Sequence, residues 1–337
     1  MLRLTNSTDK YSLMKRLKQT LVFVFVLCCI ACNKDKHDDG DSSKGNINEI
    51  SLVISDVLWN GEVGDSLRKR LAAPVDGLTQ EEPFFTLNQL HDKSFDGSMK
   101  KGRNIIVVDK GQKNFNFVQN NYCAPQNVFT ITGKSIDEIL ELIDMHSDEI
   151  IRTIRETEIT ENQQRNIKLG LLNSDKIKRQ YNISIKVPST YSYALQNHDF
   201  VWLKKDIPSG NTNILLYKVP YAVIEKDKSI GPNIINMRDS IGRQYIHGQE
   251  AGTSMVTEEA YSPYLFMTSF KDKRAFETRG NWEMENDFMN GPFLNYAIRD
   301  DKHNCYLVIE GFIYSPSSPK RDLVIELESI IKSVKFL

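Results

Sequence analysis

Val128 to Ile154 reads VFTITGKSIDEILELIDMHSDEIIRTI, and the apolar period changes within it. Val128 to Thr132 is a short β-branched and aromatic run, the composition of a strand. After Gly133-Lys134-Ser135 the apolar residues recur at Ile136, Ile139, Leu140, Ile143, Ile150, Ile151 and Ile154, the spacing of one face of a long helix. Ser135 and Glu138 stand three apart at the join, the pattern of a capping box that satisfies free N–H groups in the first helical turn. A strand running into an amphipathic helix predicts an α/β layer, with the helical stripe laid on the sheet.

Working outward, Arg103 to Asp109 (RNIIVVD), Phe84 to Leu87 after Pro83, and Ile50 to Leu58 (ISLVISDVL) read as three more strands. Trp59, Val63, Leu67 and Leu71, spaced by four, mark a helix that Pro74 stops. Downstream, Thr160 to Gln180 reads as a further, more polar helix leading out of an N-terminal α/β domain of residues 49–180. From Tyr181 strands dominate: Ile183 to Val187, Phe200 to Lys204, Asn213 to Val219, Tyr264 to Phe270, Phe276 to Met284, Leu294 to Arg299 and Cys305 to Tyr314. Asp300 to Asn304 reads as the hairpin turn joining the last two. A short helix carries Ile234, Met237, Ile241 and Tyr245 after Pro232, and Leu323, Leu327, Ile330, Ile331 and Val334 stripe a closing helix. The expected fold class is therefore α/β (α+β). It consists of two α-β sandwich domains, with a mixed sheet in 49–180 and a largely antiparallel sheet in 181–337.

The N-terminal residues read as an address. Leu21 to Cys32, LVFVFVLCCIAC, is too short for the roughly 20 residues of a spanning helix. Lys15, Arg16 and Lys18 precede it and polar residues begin at Asn33, the layout of a cleaved signal peptide over residues 1–32. Met14 opens a complete signal by itself, so Met14 is the expected true start. Ile30-Ala31-Cys32 resembles the end of a bacterial lipobox, with Cys29 where leucine is usual. That resemblance implies a signal cleaved before Cys32, with lipid on the new N-terminal cysteine. Asn33 to Asn48 has the composition of a flexible tether. Its acidic residues are similar to the surface-export signals of Bacteroidetes lipoproteins, and any solvated linker has the same composition.

Net charge is −1 overall, and the first twenty residues carry +4, so the remainder carries about −5 and offers no basic field for nucleic acid. Three of the five cysteines lie in the signal region. Cys123 and Cys305 remain, as one bridge or as two buried thiols, and form no CxxC pattern for zinc.

SDVLWNGEVGDSLRKRL (Ser55 to Leu71), PVDGLTQEEPFFTL (Pro74 to Leu87) and RNIIVVD resemble a family of Bacteroidetes lipoproteins known as domain of unknown function 4837. The resemblance extends over nearly the whole mature chain. It implies a lipid-anchored envelope protein and assigns no reaction. The final ESIIKSVKF, after a strand pattern, is similar to the closing helix of PsbP-like domains, which mostly bind or assist assembly; a fold analogy of that kind licenses no function.

Gly133-Lys134-Ser135 sits where a phosphate-binding loop would, but that pattern requires a glycine where Val128 stands. Gly64-Asp65-Ser66-Leu67 resembles the signature of the GDSL esterases, and Asp300 with His303 fits that family's Asp-x-x-His block. The resemblance implies Ser66 as nucleophile with His303 taking its proton. In those enzymes the serine directly follows the first strand, whereas here Trp59 to Val63 intervene and put Ser66 in a helix. Asp65-Ser66-Leu67 and Asp239-Ser240-Ile241 also resemble the O-glycosylation sequon of Bacteroidetes envelope proteins, though both fall in predicted helices. His91, His146, His198 and His247 show no metal-ligand spacing. Trp202, Tyr217, Phe293 and Tyr296 read as core rather than a ligand platform.

No cofactor or metal constellation is complete, so none is expected. The reading is a lipid-anchored protein of the outer membrane, held through Cys32, that binds an envelope protein partner or a small ligand without catalysis. A hydrolase using Ser66, Asp300 and His303, and a structural stabiliser of an outer-membrane complex, are the alternatives.

Overall fold

The computed structural model describes residues 42–337, so the expected signal peptide, Cys32 and most of the expected tether lie outside the described residues. Within it the first sheet has the strands β1 (Glu49–Ile54), β2 (Thr86–Leu90), β3 (Asn104–Lys110), β4 (Asn114–Gln119) and β5 (Asn127–Gly133), in the order β2-β1-β3-β5-β4. β2, β1, β3 and β5 are parallel and β4 is antiparallel to β5, so the sheet is mixed, as expected. The helices α1 (Asp56–Trp59) and α2 (Glu62–Leu71) follow β1, and α3 (Ile136–Lys168) follows β5. Val63, Leu67 and Leu71 of α2 and Ile139, Ile143, Ile150 and Ile154 of α3 share one core with Ile50, Leu52 and Ile54 of β1. Val53, Ile105 and Val128 are buried on the opposite face, which is why the strand runs are apolar without alternation.

Several boundaries differ from the sequence reading for local reasons. β1 ends at Ile54 because the Ser55 hydroxyl accepts from the Leu58 N–H and caps α1. The helix expected to run from Trp59 is broken at Asn60-Gly61 into α1 and α2. Phe84 and Phe85 precede β2, since their N–H groups donate to Ala73 and Leu71 carbonyls at the end of α2. α3 runs unbroken past Thr160: Glu158, Asn162 and Asn166 make that segment polar while remaining buried, so loss of apolar residues did not mark a helix end. Only α4 (Asp175–Tyr181) is separate. β4 is almost wholly exposed and left no apolar run to read. Residues at the end of the expected tether are attached to the body, with Ser43 N–H donating to the Ala124 carbonyl and Lys44 bridged to Gly102.

The second sheet contains β7 (Ser192–Gln196), β8 (Phe200–Ile207), β9 (Gly210–Pro220), β10 (Ser254–Thr257), β11 (Tyr264–Phe270), β12 (Lys273–Glu285), β13 (Asn290–Asp300) and β14 (Cys305–Tyr314). The order is β10-β12-β13-β14-β9-β8-β7, with β11 beside the first half of β12, and every pairing is antiparallel. A separate two-stranded pair joins β6 (Ile183–Ser184) to β15 (Lys335–Phe336). β6 is shorter than the expected Ile183 to Val187 because Lys186 N–H donates to the Ser333 hydroxyl instead of to a strand.

Each face of the large sheet carries a helix. α7 (Arg321–Lys332) lays Leu327, Ile330 and Ile331 on Leu294, Ile298, Leu307 and Ile309. On the other face α5 (Tyr221–Glu225) and α6 (Ile230–Tyr245) bring Ile224, Ile234 and Met237 against Tyr217, Phe293, Ala297 and Val308. Alternation along each strand decides which side chain joins which core. α3 and α7 meet, with Arg155 paired to Glu328 and Gln163 Nε2 donating to the Ser329 carbonyl at 3.0 Å, and Ser43–Leu337 forms one compact unit. Cys123 and Cys305 are two buried thiols, not one bridge.

Candidate functional site

The β11–β12 hairpin, the end of α5, the start of α6 and the start of β14 surround a pocket of about 650 Å³. Phe276 and Tyr306 reach it because both stand on the sheet face that α6 covers, one strand apart across β13, with ring centroids 6.0 Å apart. Ile230, Ala275 and Met267 complete the apolar lining, and Glu225 and Arg274 supply opposite charges at the edge. The volume falls in the range of small-molecule sites, which combine apolar walls with few polar groups.

The Glu225 carboxylate accepts from the Tyr306 hydroxyl and from Arg299, and Arg274 lies 3.9 Å away. The Tyr306 hydrogen bond, followed by Arg299, holds Glu225 below the usual carboxylate range despite some burial. Tyr306 is pushed up to about 12, first by burial and then by its bond to Glu225. Arg299 in turn donates to Asp301 at 2.7 Å and stacks 4.0 Å from the Tyr221 ring. At neutral pH the site therefore presents an ionised carboxylate whose hydrogen-bond partners are already engaged, and a carboxylate held below its usual range is a weak proton acceptor.

The residues proposed from sequence fall elsewhere. Ser66 is half-buried in α2, beside the first sheet. Asp300 and His303 do meet, with Oδ2 and Nδ1 2.6 Å apart, in the β13–β14 turn at the end of the second sheet. No hydrogen bond among the described residues joins Ser66 to either. Cys32 is outside the described residues. The Ser240 hydroxyl donates to the Asn236 carbonyl of its own helix at 2.8 Å. Ser135 accepts from the Glu138 N–H and caps the helix, while the Glu138 carboxylate reaches one residue past the cap and accepts from the Lys134 N–H. No cluster of metal-binding side chains occurs among the described residues. Tyr217, Phe293 and Tyr296 are buried in the core, and Trp202 donates to Asn213.

Buried ionic networks among the described residues also escaped sequence reading, and two of them lie on the faces of the large sheet. Glu328, on α7, accepts from Arg155, from Arg279 at 3.2 Å and from Lys332 at 2.7 Å. They border a cleft of about 320 Å³ between Phe84 and Phe266. Burial pushes Glu328 upward, but Arg279, Arg155 and Lys332 outweigh it and hold the carboxyl well below its usual range. On the other sheet face Arg238 of α6 donates to Glu310 at 3.0 Å, and Asn295 Nδ2 donates to the same carboxylate at 2.8 Å. Burial raises Glu310 above its usual value, with Arg238 opposing. A signal existed for each: Glu310 interrupts the apolar face of Tyr306, Val308 and Phe312, and Glu328 lies within the apolar stripe of α7. Glu225, Arg299 and Arg274 left none, being ordinary charges until β12, β13 and α5 bring them together.

With the geometry described, comparison with known proteins adds two family matches. Residues 171–333 match the family model described as domain of unknown function DUF4837, and residues 43–167 match domain of unknown function DUF8532. Each match covers less than half of the chain. The stretches Ser55 to Asp109 that resembled the first family thus lie in the part matched by the second, and the first family covers the large antiparallel sheet. No curated protein matches the chain. Among solved structures, the Ran-binding protein Mog1p of Saccharomyces cerevisiae is similar over 46% of this chain and 90% of that chain, at 7% identity and a TM-score of 0.31. That likeness is too low to carry an argument.

Proposed function

We propose that this protein is a non-catalytic binding module of the cell envelope, held on the outer membrane by lipid on Cys32. Its pocket beside β11 takes a small amphipathic ligand. The observation that carries the reading is the pocket itself: an apolar floor of Phe276, Tyr306 and Ile230, with Glu225 and Arg274 at the edge. Such a lining favours a ligand with an apolar body and a polar end. Placement of Ser66 and His303 beside different sheets speaks for binding over ester hydrolysis.

Native mass spectrometry of the protein extracted from its own membranes tests the pocket. The wild type should retain a small-molecule adduct that Ile230→Trp, which fills the pocket, loses at unchanged circular dichroism. Ester turnover abolished by Ser66→Ala would overturn the binding reading in favour of a hydrolase. The anchor is tested separately with a fatty-acid label. Acyl chains contribute about 0.8 kcal/mol per buried methylene, so Cys32→Ser should lose the label and its membrane retention, while Cys28→Ser and Cys29→Ser keep both. Full labelling of Cys32→Ser would remove the anchor from the proposal.

A further inference from the structure

β11 pairs with β12 along one edge, and its other edge pairs with no strand among the described residues. Lys271 and Asp272 form a two-residue loop with φ of 48° and 65°, the positive values of a type I′ turn. Such a loop is closed by a hydrogen-bonded pair, here Phe270 with Lys273. Alternation then directs the backbone groups of Thr268, Phe266 and Tyr264 to β12, and those of Leu265, Met267 and Ser269 outward. Edge strands are usually protected by charge, proline or a bulge. Tyr264–Phe270 has no charged residue and no proline, and its register with β12 is unbroken. Tyr264, Leu265, Phe266 and Met267 are all exposed, Met267 at 86%.

We infer that this edge pairs with β11 of a second copy of the chain, antiparallel about a two-fold axis through Met267. Met267 is the central residue of the three that point their backbone groups outward, so the axis there lets all three bond. Leu265 then faces the partner's Ser269, and Phe266 faces the partner's Thr268. An uncharged apolar edge is complementary to another of the same kind, and a two-fold interface supplies it from the same patch on both copies. Charge selects the direction. The hairpin tip carries Lys271, Lys273 and Arg274 against Asp272, while Glu258 and Glu259 precede β11. Antiparallel pairing brings the basic tip of one copy to the acidic approach of the other, whereas parallel pairing would set two basic tips side by side. Met267 also lines the pocket, and the residue opposite it points to the same sheet face. Each copy therefore extends the wall of the other's pocket. The inference stands on the strand edge and does not require the pocket to hold a ligand.

The test uses the full chain in its own membranes. Met267→Cys should give a disulfide-linked species of twice the chain mass under mild oxidation. Met145→Cys, at a 61% exposed site on α3, should stay single. In detergent, light scattering should report a dimer for the wild type, and Leu265→Lys combined with Met267→Lys should weaken association about tenfold or more. A monomeric wild type, equal cross-linking at both cysteine positions, cross-linking of Met267→Cys to a different protein, or a dimer indifferent to the two lysines would each overturn the inference.

Discussion

A Cβ on Gly64 would lie 1.8 Å from the Trp59 carbonyl oxygen. α2 packs so closely on the preceding turn that only a glycine fits there. Its neighbours have roles of the same kind: Asp65 pairs with Arg68 at 2.7 Å, Arg68 stacks 4.3 Å from the Trp59 ring, and Leu67 is buried. Gly64, Asp65 and Leu67 are thus explained by packing, and the esterase-like spelling needs no catalysis. Gly64→Ala should cost about 1–3 kcal/mol, the usual penalty of overpacking, whereas Ser66→Ala should stay within about 0.5 kcal/mol. Urea unfolding of the two variants checks this. A stable Gly64→Ala protein would show that α2 can shift freely. The four letters were legible in the sequence, but the distance from Gly64 to Trp59 depends on the break at Asn60-Gly61.

At the scale of elements, α7 shows how a legible helix can depend on something illegible. Its apolar stripe follows from the spacing of Leu323, Leu327, Ile330 and Ile331. Its start, however, has no capping side chain at Lys320. The Glu82 carboxylate, from the loop before β2, accepts from Lys320 N–H at 2.7 Å and from Arg321 N–H at 2.8 Å. A helix start leaves N–H groups unsatisfied and favours negative charge, so a remote carboxylate serves as well as a local cap. Glu82→Ala should destabilise by about 0.5–2 kcal/mol, the range for losing a cap, measured as a lower urea midpoint. Insensitivity would mean that water replaces the carboxylate without loss. β11 is the converse case, an element read correctly from its apolar run and yet not buried. An apolar strand pattern reports the capacity to be covered, and the sheet order decides whether anything in the same chain covers it.

At the scale of the whole molecule, Glu328 ties α3, β12 and α7 together through Arg155, Arg279 and Lys332. Removing the one buried carboxylate leaves cations without a counter-charge, so Glu328→Gln should cost about 3–5 kcal/mol at neutral pH. A carboxyl whose folded pKa lies below its unfolded value contributes stability that is complete above about 4.3 and is lost as pH falls toward the folded value. The gap between wild type and Glu328→Gln should therefore narrow between about pH 5 and about pH 3. Glu158 and Glu310 act in the opposite sense: burial raises them, so the folded state takes up their protons first and their charged forms cost stability at higher pH. Urea titrations of both proteins across that range decide the point. A gap that widens in acid would contradict the assignment.

The sequence by itself determined the kinds of element and the class of fold, because a period of two or of 3.6 forces one face of a strand or helix to seek cover. The strand at Val128, the stripe of α3 and the Asp300 to Asn304 hairpin are direct consequences of that periodicity. The signal-peptide and tether readings rest in the same way on local composition alone. Only the tertiary structure decided that α3 continues through its polar half, because burial of Glu158 beside Arg103 and Asn104 depends on β3. It alone made a pocket of Glu225, Tyr306 and Phe276, and left β11 with an open edge. Those features depend on which strand lies beside which, and pairing between segments distant in the chain is set by the sum of many weak contacts that no short stretch encodes.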